Sequence, residues 1–218
     1  MKAFDGDSKQ VVLSGYELCG PRYSAARAAD PSPELQRLID VLEPGASVLD
    51  VGCGAGVPVT AALDRIADVV GVDLSPVQIE QARRNVPAAR FLVGDVMEQD
   101  FERASFDAVV AFYALFHLPR EEQRLLLERV ASWLRPGGHL LATVANSSHP
   151  GYTESDFFGV TMYWSHFEAA WYPETLRELG FEILAEGRLG HGYRDVPGLP
   201  PERHPIVFAR RHPGEAGA

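Results

Sequence analysis

The chain has 218 residues, enough for one full α/β domain with a sizeable core. Hydrophobic residues make up 46% and charged residues 23%, the balance of a soluble globular domain, and no apolar run is long enough to span a bilayer. A formal net charge of −10 opposes binding to a nucleic-acid backbone or an anionic membrane, both of which ask for clustered Lys and Arg, so the expected partner is a small molecule. The opening residues, Met1 to Gln10, are polar and lack the basic-then-apolar layout of a signal peptide. Cys19 and Cys53 alone make no disulfide framework. A cytoplasmic location follows as the expectation.

Residues 1–30 mix Tyr16 and Tyr23 with Gly, Pro and Ala, and residues 1–44 together read as an N-terminal helical cap. Ser32-Pro33 is an N-cap followed by proline at the first helical position, and Leu35, Leu38, Ile39 and Leu42 share one face of the helix that follows. Pro44-Gly45 ends it. Ser47–Val51 is then a buried strand that runs into Gly52-Cys53-Gly54-Ala55-Gly56, with a helix expected from Val57 to Ile66.

Asp68–Val72 is a second strand, ending at Asp73. Ser75-Pro76-Val77-Gln78 has the form of a capping box, and its helix runs to Asn85. Ala89–Val93 is the third strand, closed by Gly94-Asp95, and Phe106–Phe112 the fourth. Glu121–Leu134 is an amphipathic helix stopped by Pro136-Gly137-Gly138, and His139–Val144 is the fifth strand. Residues 145–172 form an aromatic insert with no clear period, rich in rings from Tyr152 to Tyr172. Pro173–Leu179 is a helix, and Phe181–Gly187 and Pro205–Arg210 form an antiparallel edge hairpin joined by a Gly/Pro-rich loop. The tail after Arg211 is expected to be disordered. Strand–helix alternation through five units implies a parallel sheet covered on both faces.

Three acids stand at the ends of consecutive strands: Asp50, Asp73 and Asp95. Any one of them alone reads as a turn or capping residue. Asp73 lies about twenty residues beyond the start of the glycine loop, where an acid accepts from both hydroxyls of a ribose. Asp95 is placed to accept from an adenine amino group, with Leu74 and Val96 to sandwich the ring. The glycines are spaced G-x-G-x-G, not G-x-G-x-x-G, and no phosphate-binding lysine motif is present. An acid beside the loop repels phosphate and suits a ligand carrying an ammonium or sulfonium charge.

The segments Val48–Gly56, Val70–Ser75, Val93–Val96, Phe106–Leu118 and Leu134–Gly138 resemble the ordered motifs of class I S-adenosylmethionine-dependent methyltransferases. The runs GCGAGVPVT, FYALFHLPREEQ and MYWSHF resemble a small-molecule branch of that superfamily. The resemblance implies a Rossmann-like three-layer α/β sandwich, with a seven-stranded, mostly parallel sheet whose last strand is antiparallel. It divides the single domain into the cap (1–44), a cofactor-binding core (45–145), a substrate lid (146–172) and a C-terminal helix and hairpin (173–211). Carried onto this chain, it implies that Gly52, Gly54 and Gly56 let the backbone approach S-adenosyl-L-methionine and its product S-adenosyl-L-homocysteine. Asp50 then helps to hold the amino-acid end through water or the loop, Asp73 takes the ribose, and Asp95 with Val96 reads adenine. Ala111 and Phe112 border the methionine moiety, while Tyr16 and Tyr23 close over the cofactor.

Methyl transfer to an oxygen or nitrogen of a small apolar or aromatic molecule is the implied reaction. A relative with the same cofactor but another job, such as a cyclase, a decarboxylase or a scaffold, is the alternative. His117, just after the fourth strand, is the candidate proton acceptor, against the plainer reading of a histidine that packs at the cleft wall. His166 in the insert serves either catalysis or the anchoring of the lid. Tyr113, Tyr163 and Trp164 are the candidates for the substrate pocket. Cys53 reads as a small loop residue. No metal is expected, because Phe112-Tyr113-Ala114 stands where a metal-dependent catechol methyltransferase would carry acid ligands. A monomer or homodimer is expected.

Overall fold

A computed structural model describes residues 4–27, 31–189 and 204–213. The expected disordered tail and the Gly/Pro-rich loop before the last strand lie largely outside the described residues.

Nine strands and six helices are described. In chain order they are α1 (Ser8–Ala26), α2 (Pro33–Ile39), β1 (Ala46–Val51), α3 (Val59–Leu63), β2 (Ala67–Asp73), α4 (Pro76–Asn85), β3 (Arg90–Val93), β4 (Phe106–Ala111), α5 (Arg120–Trp133), β5 (Leu134–Thr143), β6 (His149–Phe157), β7 (Val160–His166), α6 (Trp171–Glu178), β8 (Phe181–Arg188) and β9 (Pro205–Arg211). Seven strands form one sheet in the order β3-β2-β1-β4-β5-β9-β8. β1 to β5 pair in parallel, and β9 runs antiparallel between β5 and β8. Chain order reverses between β1 and β4, and ligands of open α/β sheets bind in the crevice at such a switch point.

Alternation along the strands feeds two cores. Leu49, Val51, Val109 and Leu140 meet Leu126, Val130 and Trp133 of α5 and Leu176 of α6. Val48, Val69, Val110 and Leu141 meet Leu35 and Leu38 of α2 and Leu63 of α3. Ser32 caps α2 by accepting from the Leu35 N–H at 3.2 Å. The helix after the glycine loop is shorter than its pattern predicted, Val59–Leu63 in place of 57–66, with Pro58 at the cap position. β5 begins earlier than expected, at Leu134, and runs through Pro136-Gly137-Gly138 beside an irregularity in the β4–β5 register.

The capping box is half formed. The Ser75 hydroxyl accepts from Gln78 N–H at 3.3 Å, but the Ser75 N–H donates to Asp73 instead. That releases the Gln78 side chain to meet Ser24 of α1.

Two segments differ more from expectation. The cap is dominated by one 19-residue helix, α1, capped by Asp7. It packs on β7 so closely that a Cβ at Gly15 would lie 2.7 Å from the Met162 methyl. The aromatic insert is a regular antiparallel hairpin, β6–β7, forming its own two-stranded sheet. It turns through Phe158 and Gly159, both at positive φ (52° and 77°), the backbone of a two-residue primed turn. Trp171 and Tyr172, placed in the lid by sequence, open α6. Among the described residues no helix is long and apolar enough to cross a membrane.

Candidate active site

A cavity opens over the C-terminal ends of β1 to β4. Its floor is backbone-rich: Gly52 and Gly54 after β1, Asp73 to Ser75 after β2, Gly94 to Val96 after β3 and Phe112 to Ala114 after β4. Its roof is α1, which contributes Lys9, Val12, Leu13, Tyr16 and Tyr23. Gly52 has φ 68°, and a Cβ there would sit 2.6 Å from the Ala114 Cβ, so only glycine lets the two loops close up.

Asp73 ties two of these loops together. Its Oδ2 accepts from Gly54 N–H and its Oδ1 from Ser75 N–H, each at 2.9 Å. Each oxygen keeps a second lone pair for a ligand hydroxyl. Burial raises the Asp73 carboxyl above its ordinary range, and the two backbone donors partly offset this.

Asp95 is also engaged: Oδ1 accepts from Met97 N–H at 2.8 Å and Oδ2 from the Lys9 ammonium at 2.5 Å. Lys9 reaches Glu122 at 2.7 Å as well. Burial pulls the Lys9 pKa down, but the two carboxylates outweigh it and leave a net rise. Sequence reasoning missed Lys9, Val12 and Leu13. Their spacing with Tyr16, at i, i+3, i+4 and i+7, is the signal that could have found them.

His117 ends a short 3₁₀ turn after β4 and is 9% exposed. Its Nδ1 lies 3.0 Å from the Tyr163 carbonyl and its Nε2 2.8 Å from the Tyr16 hydroxyl. A carbonyl can only accept, so Nδ1 carries the hydrogen and Nε2 offers a lone pair to the Tyr16 O–H. Burial lowers the His117 pKa from 6.5 to about 4, with the Tyr163 carbonyl opposing and His204 adding to the fall. The ring is therefore neutral at pH 7. The Trp164 ring lies against it at 4.6 Å between centroids.

Tyr113 follows β4 in a left-handed conformation, φ 61°, with its N–H donating to the Thr143 hydroxyl at 2.6 Å. Such strain in a bulky residue marks a position held by its surroundings. The Arg27 guanidinium covers the Tyr113 ring at 3.8 Å.

Of the residues singled out by sequence, Tyr16, Tyr23, Gly52, Gly54, Asp73, Leu74, Asp95, Val96, Phe112, Tyr113 and His117 lie on the cavity wall. Tyr163 and Trp164 stand behind His117 instead, because β7 packs beside that turn and supports its ring. His166 is off the wall: its Nδ1 meets the Ser147 carbonyl, which fastens the hairpin to the segment after β5. Ala111 is in the core beneath α5, and Gly56 packs against Ala82 and Val86. Asp50 is 1% exposed and lies under the glycine loop, where it accepts from the Thr60 hydroxyl at 2.6 Å. Burial raises its pKa from 3.8 to about 7, with Thr60 opposing and Asp73 adding. The carboxyl thus supports the loop from below, one of the two routes, water or the loop, expected for it. Among the described residues no group of three or more His, Cys, Asp or Glu side chains converges as a metal site would.

The wall fits an adenosyl group that bears a cation. The Asp73 and Asp95 carboxylates line the wall, and the glycine loop carries no lysine or arginine for a phosphate. A family model described as a methyltransferase domain matches residues 48–138. Over 149 residues the chain is 30% identical to aklanonic acid methyltransferase DauC of Streptomyces sp. (strain C5), covering 64% of this chain and 67% of that protein. The chain spans about two fifths to two thirds of the length of the curated relatives it matches. Among solved structures, the Burkholderia thailandensis 1,6-didemethyltoxoflavin-N1-methyltransferase, with 1,6-didemethyltoxoflavin and S-adenosylhomocysteine bound, matches with a TM-score of 0.71 at 23% identity. That match covers 97% of this chain and 93% of the other. The [4+2]-cyclase SpnF matches with a TM-score of 0.68 at 20% identity, covering 98% of this chain and all of the other. At those identities the structural likeness speaks for the fold alone.

Proposed function

The chain belongs to the class I S-adenosylmethionine-dependent methyltransferases, and from that premise we propose that it methylates an oxygen or nitrogen of a small, apolar or aromatic acceptor. The observation that carries this reading is the Tyr16–His117–Tyr163 chain of hydrogen bonds at the cavity wall. When bound, the cofactor supplies a methyl group already activated on a sulfonium sulfur, leaving the protein to align, exclude water and manage a proton. Asp73 and Asp95 hold the adenosyl end, and the glycine loop admits the rest at close range. Phe112, Tyr113, Tyr23 and Leu13 surround the acceptor with apolar and aromatic surface.

Tyr16 donates to His117 Nε2, so its oxygen can accept from an acceptor hydroxyl while its own hydrogen moves on to the imidazole. A base of pKa about 4 is weak towards a neutral phenol. Once the new carbon–oxygen bond forms, however, the acceptor is an oxonium ion and a far stronger acid, which such a base deprotonates readily. The net charge of −10 supports a small-molecule partner over a nucleic acid.

A cyclase-like use of the same cofactor pocket is the second reading, motivated by the shared fold with SpnF. The discriminating experiment incubates the protein with S-adenosylmethionine and a panel of phenols, carboxylates and amines, and measures S-adenosylhomocysteine. Release matched by methylated product is expected, with phenols foremost. Tight cofactor binding with no release on any acceptor would favour the second reading.

A further inference from the structure

Gln123 lies on the first turn of α5, is 0% exposed and lines no described cavity. Its Nε2 donates to the Leu118 carbonyl at 2.9 Å and to the Ser165 carbonyl at 2.7 Å. Its Oε1 accepts from the Tyr172 hydroxyl at 2.9 Å. Because both carbonyls can only accept, the orientation of the amide is fixed by chemistry. The Tyr172 hydroxyl in turn accepts from the Phe167 N–H. One buried amide thereby joins the turn after β4, the end of β7 and α6.

β7 needs such a grip. It pairs with β6 along one edge, and the β6–β7 register slips between His149 and Tyr152, where Pro150 has no N–H to give. Carbonyls two residues apart on a strand point to the same edge. On that edge Tyr163 reaches His117 Nδ1 and Ser165 reaches Gln123 Nε2. Arg120, one turn earlier on α5, gives Nε (2.9 Å) and Nη2 (2.7 Å) to the next carbonyl, His166. α5 thus holds the last two carbonyls of β7, and Gln123 alone also holds the residue that follows His117.

We propose that Gln123 is a positioning residue for His117: by clamping Leu118 to Ser165 it keeps the Tyr163 carbonyl on Nδ1, and so keeps Nε2 bare and facing Tyr16. Without the clamp the two halves of the His117–Tyr163 bond are free to separate. The other tautomer, with its hydrogen on Nε2, cannot accept from Tyr16. The consequence for turnover rests on the proposed role of His117 as proton acceptor; the coupling itself does not.

Gln123→Met keeps length and bulk but removes all three bonds. Nitrogen NMR of the His117 ring, assigned by its loss in His117→Ala, reads the tautomer without any substrate. In the native protein one ring nitrogen is protonated and the other bare at neutral pH. In Gln123→Met the two signals should move towards an average, and the acid titration of His117, which the Tyr163 carbonyl raises, should fall below about 4. S-adenosylhomocysteine affinity by calorimetry should stay unchanged. Tyr172→Phe, the milder change, should move the ring in the same direction by less, and it decides the matter if the methionine variant does not fold. A folded variant with lower Tm and an unaltered His117 tautomer would overturn the proposal, leaving Gln123 a strut of the fold. Retained turnover in His117→Ala would sink the base assignment and leave this coupling standing.

Discussion

The floor and the roof of the cavity are built on different principles. The floor consists of strand ends and tight loops, and Asp73 closes it through backbone donors two and nineteen residues away. The roof and the proton relay proposed for it are assembled from distant parts of the chain: Tyr16 meets His117 across 101 positions, and His117 meets Tyr163 across 46. The floor offers lone pairs and close backbone, the requirements of binding. The roof offers a neutral imidazole and a phenol, the requirements of moving a proton. The comparison therefore predicts that floor variants alter affinity and roof variants alter turnover.

The largest effect is expected at the roof. His117→Ala should lower turnover by about 10²–10⁴-fold, the usual worth of a positioned acid–base group, while S-adenosylhomocysteine binding by calorimetry stays near native. Tyr16→Phe keeps the ring and loses one hydrogen bond, about 0.5–1.5 kcal/mol, so its loss should be smaller and of the same kind. If either variant instead lost affinity with turnover intact, the division between floor and roof would collapse.

Next comes the floor. Asp73→Ala removes charged hydrogen bonds and should weaken cofactor binding by about 1.5–3 kcal/mol, roughly ten- to hundredfold. Native affinity in that variant would move the adenosyl group elsewhere.

The smallest effect concerns stability and pH. The folded pKa of Asp50 is raised to about 7, so its contribution is full below 3.8 and lost as pH rises through 7. The folded pKa of His117 is lowered to about 4, so the unfolded chain takes that proton first, and this contribution is lost as pH falls from 6.5 to 4. Between about 4 and 6.5 the two oppose each other. Asp50→Asn should therefore make Tm fall more steeply on acidification through that window than in the native protein. Equal slopes would show that Asp50 ionises normally beneath the loop.

The same contrast explains what was legible in the sequence. β1 to β4 announce themselves as apolar runs, three of them closed by an acid or glycine, because a buried parallel strand has little choice of composition. Asp73 could be set on the cavity wall because its backbone partners lie two and nineteen residues away, whereas the Lys9 partner of Asp95 lies 86 positions away and was missed. α1 was obscure: Gly15, Gly20 and Pro21 interrupt it, and its inner face mixes Lys9 with aromatic rings. Gly15 is there for the close approach of Met162, a fact that only the tertiary structure holds. The hairpin was missed for two reasons. Its primed turn uses Phe158-Gly159 where Asn-Gly is the usual signal, and β7 is covered on both faces, so its burial does not alternate. The facing of Asp50 could not be read, because an acid at a strand end reads alike whether it faces a ligand or turns under a loop towards Thr60.

Lys9 and Tyr16 stand seven residues apart on one helix, about 10.5 Å along its axis. One end of that span touches Asp95 and the other touches His117. A single helix thus both covers the cavity and carries half of the proposed relay. Any displacement of α1 that drew Lys9 from Asp95 would also draw Tyr16 from the imidazole, so the proposed relay and the cover over the cavity stand or fall together.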